Sequence, residues 1–119
     1  MRVRRHFLYS MAVILLFQGM AGCGAKRLGP AARPGGVHFS FYAPAAKHVS
    51  IAGSFNQWST DADPLVGPDR NGLWGISLPL PAGRYEYLFF VDEEWKLDPE
   101  TPSVDDGFGG RISVVVIGR

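Results

Sequence analysis

The chain has 119 residues, of which 46% are hydrophobic and 19% are charged, a composition typical of a globular protein and not of a disordered one. The formal net charge is only +1, but its distribution is uneven. Residues 1–36 contain six Lys or Arg and no acid, whereas residues 37–119 contain six Lys or Arg and all eleven acids, which leaves that part at −5. A net acidic domain does not suit a phosphate backbone, so we expect no nucleic acid partner.

Residues 1–22 have the layout of an export signal: a basic head, MRVRRH, then the apolar run FLYSMAVILLF, then small residues. The sequence Ala21-Gly22-Cys23 resembles the lipobox of bacterial lipoproteins, in which the cysteine is lipidated and becomes the first residue. The resemblance implies lipidation of Cys23 with a diacylglyceryl thioether and an N-acyl chain. Stable anchoring takes more than one acyl chain, so this lipid would hold the protein on a membrane of the cell envelope. Gly24 favours the outer membrane in a cell that has one.

Cys23 is the only cysteine, so it cannot form an internal disulfide. The alternative to lipidation is a cleaved secretory peptide that leaves a free thiol. Residues 4–8, RRHFL, also resemble a twin-arginine export motif, so the export route stays open. Residues 23–36 are rich in Gly, Pro and Ala, and their positive charge would lie near a membrane surface. They predict a flexible basic tether between the lipidated cysteine and the domain.

Residues 37–119 alternate between apolar and polar side chains with a period of two, which predicts strands. The predicted strands span 37–43, 47–53, 73–80, 84–92, 95–98 and 111–117. Their number and spacing predict an all-β fold, an immunoglobulin-like antiparallel β-sandwich of six to eight short strands. In the strand 84–92, alternation places Tyr87 and Phe89 in the core and turns Leu88 and Phe90 outward. Trp74 lies within a strand and is also expected in the core.

Catalytic side chains are scarce. His38 and His48 fall on separate strands, and no nucleophilic cysteine or serine elbow is present in residues 37–119. Asp61 and Asp63 begin like a calcium loop, but the residues after them supply no further oxygen ligands. The other carboxylates lie at hairpin corners, where we expect them to be solvated: Asp92, Glu93, Glu94, Asp98, Asp105 and Asp106. The sequence therefore predicts no enzyme, no metal site and no cofactor.

The aromatic residues are more informative. A sandwich core is only about 10 Å thick, so it can enclose few indole rings. Trp58 lies in the turn GSFNQWST, residues 53–60, and Trp95 lies just past the corner Glu93-Glu94. Both rings are expected to be exposed, as flat surfaces against which a ligand can lie.

Six short motifs follow one another in residues 37–119: APAA (43–46), VSIAGSFNQW (49–58), GLW (72–74), LPAG (80–83), YEYLFFVD (85–92) and WKLDP (95–99). They resemble, in the same order, the glycogen-binding module of AMP-activated protein kinase β subunits, which is related to the N-terminal domains of isoamylases and glycogen branching enzymes. The resemblance covers nearly all of residues 37–119.

The resemblance implies a β-sandwich in which Trp58 and Trp95 stack on glucose units of an α-1,4-linked chain. Phe108 stands where the kinase module has a leucine that reaches through the curled glucan, and it is expected to act similarly. Asn56 and Lys96 are expected to form hydrogen bonds with the sugar. Three positions depart from the kinase module: Leu88, Gly110 and Ile112 stand in place of a lysine, a threonine and an asparagine.

The sequence thus favours a lipid-anchored, non-catalytic carbohydrate-binding module whose partner is an α-glucan or related polysaccharide. The departures leave a second hypothesis, a protein-interaction or structural module of an envelope complex that has lost sugar binding. A third is a detached accessory domain of a glycan enzyme.

Overall fold

A computed structural model describes residues 29–118. The predicted signal peptide, Cys23 and the first half of the predicted tether lie outside these residues. The described part contains eight strands: β1 (Ala31–Arg33), β2 (Gly36–Tyr42), β3 (Val49–Gly53), β4 (Leu73–Leu78), β5 (Gly83–Val91), β6 (Glu94–Lys96), β7 (Ser103–Asp105) and β8 (Arg111–Ile117). No helix in residues 29–118 is long and apolar enough to cross a bilayer.

The strands form two sheets in which every pairing is antiparallel. The smaller sheet has the order β1-β2-β4, and the larger has the order β3-β5-β8-β7, with β6 also paired to β5. Strand β5 is the longest and pairs with three other strands, so it organises the larger sheet. The predicted all-β sandwich of six to eight strands is confirmed.

The core is formed by alternate residues of both sheets. Its buried members are Val37, Phe39, Val49, Ile51, Leu65, Trp74, Leu78, Tyr87, Phe89 and Val91. The Phe39 and Tyr87 rings meet edge to face with centroids 5.1 Å apart, a favourable aromatic geometry. Trp74 is buried and its indole N–H donates to the carbonyl oxygen of Ala43 at 2.9 Å, so its predicted place in the core is confirmed.

Two strands occur where the sequence predicted irregular chain. Strand β1 lies within the predicted tether and pairs with the start of β2, because the segment Pro34-Gly35-Gly36 folds the chain back on itself. Gly36 has a φ of 128°, which side chains disfavour and glycine tolerates. Strand β7 lies within the predicted loop 99–110 and pairs with β8. Strand β1 is therefore part of the smaller sheet although its residues fall in the segment predicted as tether.

Asp98 is buried, so the prediction that it is solvated was wrong. The Tyr87 hydroxyl donates to Asp98 Oδ2 at 2.6 Å, and Glu100 N donates to Oδ1 at 2.9 Å. Asp98 N donates to the Ser113 hydroxyl at 2.8 Å. Burial raises the pKa of the Asp98 carboxyl, an effect that the Tyr87 hydrogen bond opposes. Burial, with the nearby Asp98 charge, also raises the pKa of Tyr87. This polar cluster ties β5 to β8 and to the segment before β7.

Candidate functional site

The corner between β5 and β6 places an indole ring on the outside of the larger sheet. Asp92 and Glu93 form a two-residue turn with φ values of 47° and 71°, and turns with two positive φ values suit the twist of a hairpin. The turn brings Trp95 opposite Phe90, with ring centroids 4.8 Å apart and an angle of 52° between the planes. Trp95 remains 49% exposed. One side of the indole is therefore supported by Phe90, and much of the rest is free.

The Asp92 carboxylate fixes this corner to the chain that leads into β3. Its Oδ1 accepts hydrogen bonds from the backbone N–H groups of Lys47 at 2.9 Å and His48 at 2.8 Å. Asp92 N donates in return to the His48 carbonyl at 2.9 Å. The hydrogen bonds from His48 and Lys47 lower the pKa of Asp92 below its ordinary value, because they favour the charged carboxylate.

The turn after β3 is held by the side chain of Asn56. Its Oδ1 accepts from Gly53 N at 3.0 Å, and its Nδ2 donates to the Ile51 carbonyl at 3.0 Å and to Asp63 Oδ2 at 2.7 Å. Both amide hydrogens are thus used inside the protein. The sugar contact predicted for Asn56 stays a prediction, and it would have to use the remaining lone pair of Oδ1.

Trp58 lies in the same turn with a φ of 57° and is 37% exposed. Two residues after Trp58 the chain lies against β3 again: the Ser50 hydroxyl of β3 donates to the Thr60 carbonyl at 2.8 Å. Ser50 is opposite Phe90, which is opposite Trp95. The segment after Trp58 therefore lies on the outer side of the larger sheet, in line with Trp95. Both indole rings are exposed, as expected, and neither is enclosed between the sheets.

Phe108 stands on the arch between β7 and β8 and is 93% exposed. Asp106 Oδ1 holds the arch by accepting from Phe108 N at 2.7 Å and Gly110 N at 2.9 Å. These hydrogen bonds, that of Phe108 first, lower the pKa of Asp106. Because β3 occupies one edge of β5 along residues 87–91, β6 and β8 must share the other edge. The Phe108 arch, at the start of β8, therefore lies beside β6.

Lys96 is not beside the Trp95 ring. It is opposite Phe89, a core residue, so alternation places it on the other face of β6. Its Nζ lies 3.2 Å from Glu94 Oε1, and Glu94 is on that same face. The sugar contact predicted for Lys96 stays a prediction, and the side chain would have to reach the sugar from the face opposite to that of Trp95. Neighbouring residues of one strand point to opposite sides of a sheet, and this rule separates Lys96 from Trp95.

Three apolar side chains share the outward side of the larger sheet with the Phe90–Trp95 pair: Leu88 and Val104, which are half-buried, and Ile112, which is 8% exposed. Leu88 is two residues before Phe90 on the outward side of β5, and Val104 is opposite Ile112. Tyr87 pairs with Ser113, and the same register continued by one residue places Ile112 beside Leu88. We call Leu88, Phe90, Trp95, Val104 and Ile112 the outer apolar face. The sequence indicated Leu88 and Phe90 but missed Val104, whose alternation with Ser103 and Asp105 was the available signal.

A cleft of about 300 Å³ lies on the β3 side of Phe90. Its walls include Lys47, Thr60, Asp61 and Glu93. The cleft separates the turn that carries Trp58 from the β5–β6 corner. Within residues 29–118, no three His, Cys, Asp or Glu side chains converge where they could hold a metal ion.

Residues 37–119 match the family described as the glycogen recognition site of AMP-activated protein kinase. The chain belongs to this family. As a member of the glycogen-recognition family, it is 42% identical over 78 residues to the human 5'-AMP-activated protein kinase subunit beta-2, covering 66% of the chain and 26% of that protein.

Two proteins of Arabidopsis thaliana are also similar to this glycogen-recognition domain. The chloroplastic PTST homolog 2 is 41% identical over 63 residues, which is 53% of the chain and 12% of that protein. The chloroplastic protein PTST is 38% identical over 79 residues, which is 64% of the chain and 28% of that protein. The chain therefore spans between 12% and 28% of the length of these relatives, and the similarity concerns the recognition domain alone.

Proposed function

We propose that this domain is a non-catalytic module that binds α-glucan chains by stacking sugar rings on exposed aromatic side chains. Trp95 is the principal platform, Trp58 is the second, and Phe108 adds a contact from its arch. The proposal rests on one observation: in a glycogen-recognition domain, the Trp95 indole is 49% exposed while Phe90 supports it 4.8 Å away.

The strength of such a contact can be estimated from area. Covering the C–H face of a glucose ring with an indole removes roughly 50 to 80 Å² of apolar surface, or about 1 to 2 kcal/mol. Two or three such contacts, reduced by the cost of association, give an affinity of about micromolar to millimolar. Retention on a polymer is stronger, because one chain offers many sites to many anchored copies.

Affinity electrophoresis through gels that contain glycogen or amylopectin tests this function. Retardation should occur for the wild-type domain and be lost in Trp58→Ala and Trp95→Ala. Tyr42→Ala is the matched control, since Tyr42 is an aromatic residue 61% exposed on β2 of the smaller sheet. Migration that no polysaccharide changes would contradict glucan binding, and equal losses in all three variants would contradict the assigned site.

We further propose that the domain is displayed on the cell envelope through a lipid on Cys23, on the outer membrane where the cell has one. The support is the sequence of residues 1–23, with its basic head, apolar run and Ala-Gly-Cys ending. Cells grown with an alkyne fatty acid should incorporate the label into the wild-type protein and not into Cys23→Ser. Labelling equal in both, or release of the wild-type protein as an unlabelled soluble form, would contradict the anchor.

The outer apolar face supports a second candidate function, a protein-interaction module of an envelope complex. Leu88 and Val104 are half-buried and offer apolar surface without hydrogen-bonding groups, with the buried Ile112 between them, and exposed apolar surfaces mark protein contacts. Affinity capture from detergent-solubilised membranes with the wild-type protein should then return one stoichiometric partner. The Leu88→Asp variant should not bind that partner. Glucan retardation that is abolished by Trp95→Ala, with no such partner, would favour the first function.

A further inference from the structure

The outer apolar face has few polar groups with which to recognise sugar hydroxyls. The outward strand positions between Trp95 and the charged pair Arg84–Glu86 are Ser50, Ala52, Leu88, Phe90, Val104 and Ile112. Ser50 is the one polar side chain of this set, and it is buried with its hydroxyl donated to the Thr60 carbonyl at 2.8 Å. None of the six offers a free donor to a ligand.

Several polar side chains around this set of positions are also engaged, whereas Lys47, Asp61 and Glu93 line the cleft on the β3 side of Phe90. Arg84 and Glu86 are paired with each other at 2.9 Å. The amide hydrogens of Asn56 are donated inside its turn. Ser59 Oγ accepts from the backbone N–H groups of Asp61 and Ala62, each at 3.1 Å. Lys96 is on the opposite face of β6.

A site discriminates strongly between ligands with and without a hydroxyl when it has polar groups that would be left unpaired by the wrong ligand. Where the site has no such groups, the ligand hydroxyls remain directed at water and contribute little to selectivity. Affinity then depends on the C–H surface that the rings cover.

We propose that the outer apolar face recognises glucans by their C–H surface and accepts substituents on the hydroxyls, so that its ligand class includes O-alkylated and O-acylated glucans. This inference rests on the glucan binding proposed above and extends it to the substrate class. Small apolar substituents add surface that Leu88 and Val104 can cover, so modified chains bind at least as well as unmodified ones.

Isothermal titration of a fragment of residues 24–119 with maltoheptaose and with fully O-methylated maltoheptaose tests the inference. Because this fragment omits the predicted signal, its fold is first checked by circular dichroism against the full-length protein in detergent. The two dissociation constants should lie within about threefold of each other, or the methylated chain should bind more tightly. Trp95→Ala should weaken the binding of both ligands by about tenfold, because it removes one stacking contact. Methylation that weakens binding more than tenfold, with maltoheptaose still bound, would overturn this inference and leave glucan binding intact. Binding of neither ligand would overturn both.

A pair of variants separates the recognition of hydroxyl groups from non-specific binding to apolar surface. Leu88→Gln introduces an amide on the outer apolar face and should shift the preference at least threefold toward maltoheptaose. Val116→Gln is the matched control, because Val116 is 69% exposed on β8 opposite Arg84, away from Trp95, and it should leave the ratio unchanged. Equal shifts in both variants, or methylated binding that survives Trp95→Ala unchanged, would also overturn the inference.

Discussion

Removing the hydroxyl of Tyr87 should destabilise the domain strongly. In Tyr87→Phe, the buried Asp98 carboxylate loses a hydrogen bond of 2.6 Å and keeps the one from Glu100 N at 2.9 Å. Tyr87 is 0% exposed and Asp98 is 3% exposed, so water cannot readily replace the lost donor. A hydrogen bond to a charged group contributes about 1.5 to 3 kcal/mol. We expect the free energy of unfolding at pH 7 to fall by about 2 kcal/mol, within that range.

The loss should depend on pH, with a sign fixed by the pKa of Asp98. Burial raises that pKa above the ordinary value of 3.8, so the folded state binds the proton more tightly than the unfolded state. The stability from this group is therefore present below pH 3.8 and is lost as the pH rises through the folded pKa. The Tyr87 hydrogen bond lowers the pKa of Asp98, so removing it raises that pKa further. The pH range over which the stability is lost then becomes wider. The cost of Tyr87→Phe should accordingly grow from pH 4 to pH 7.

Urea denaturation at several pH values, followed by tryptophan fluorescence, measures this cost. Tyr85→Phe is the matched control, because Tyr85 lies on the same strand and its hydroxyl donates to the Pro81 carbonyl at a more exposed position. We expect Tyr85→Phe to cost less than about 1 kcal/mol at every pH. A Tyr87→Phe cost equal to that of the control, or one that shrinks as the pH rises, would refute the reasoning about the buried cluster.

Three further substitutions test the corners that carry the aromatic residues. Glu93→Gly should stabilise the domain by about 0.5 to 1 kcal/mol, because glycine relieves the φ of 71° at this position; a lower urea midpoint would contradict this. Asn56→Ala should lower the free energy of unfolding by about 2 kcal/mol, because three hydrogen bonds are lost. The control, Gln57→Ala at an exposed position, should lower it by less than about 0.5 kcal/mol. Equal urea midpoints for the two variants would count against the role assigned to Asn56. The lowered pKa of Asp92 gives stability that is present above pH 3.8 and lost as the pH falls through the folded pKa, so Asp92→Asn should be less stable than wild type at pH 7, by a margin that narrows as the pH falls below 3.8. A margin that grows as the pH falls would contradict the role of the carboxylate.

Alternation along one strand predicted much of the fold. The period of two in β5 placed Tyr87 and Phe89 in the core and Leu88 and Phe90 outside, because a sheet with one buried face imposes this pattern. Strands β1 and β7 were missed because each has only three residues and a proline lies directly beside each of them. So short a segment carries too few alternating positions to stand out from a loop.

The candidate site was less predictable than the fold. The exposure of Trp58 and Trp95 followed from their positions at a turn and a corner. The role of Asn56 did not, because a turn-forming side chain can bond either to its own backbone or to a ligand, and only the folded turn decides. Lys96 was assigned by its place in a motif, whereas the strand alternation that separates it from Trp95 was already present in the sequence.

The hydrogen bonds that Asp92 accepts from Lys47 N and His48 N bear on the glucan binding proposed above. They tie the β5–β6 corner to the chain before β3, and Phe90 packs against the Trp95 ring, so this indole would lose little freedom on binding. The Phe108 side chain is 93% exposed, and it would lose more rotamer freedom on binding although Asp106 holds its backbone. For the same area covered, Trp95 would therefore yield the larger net affinity, and Phe108 would adapt more readily to chains of different curvature.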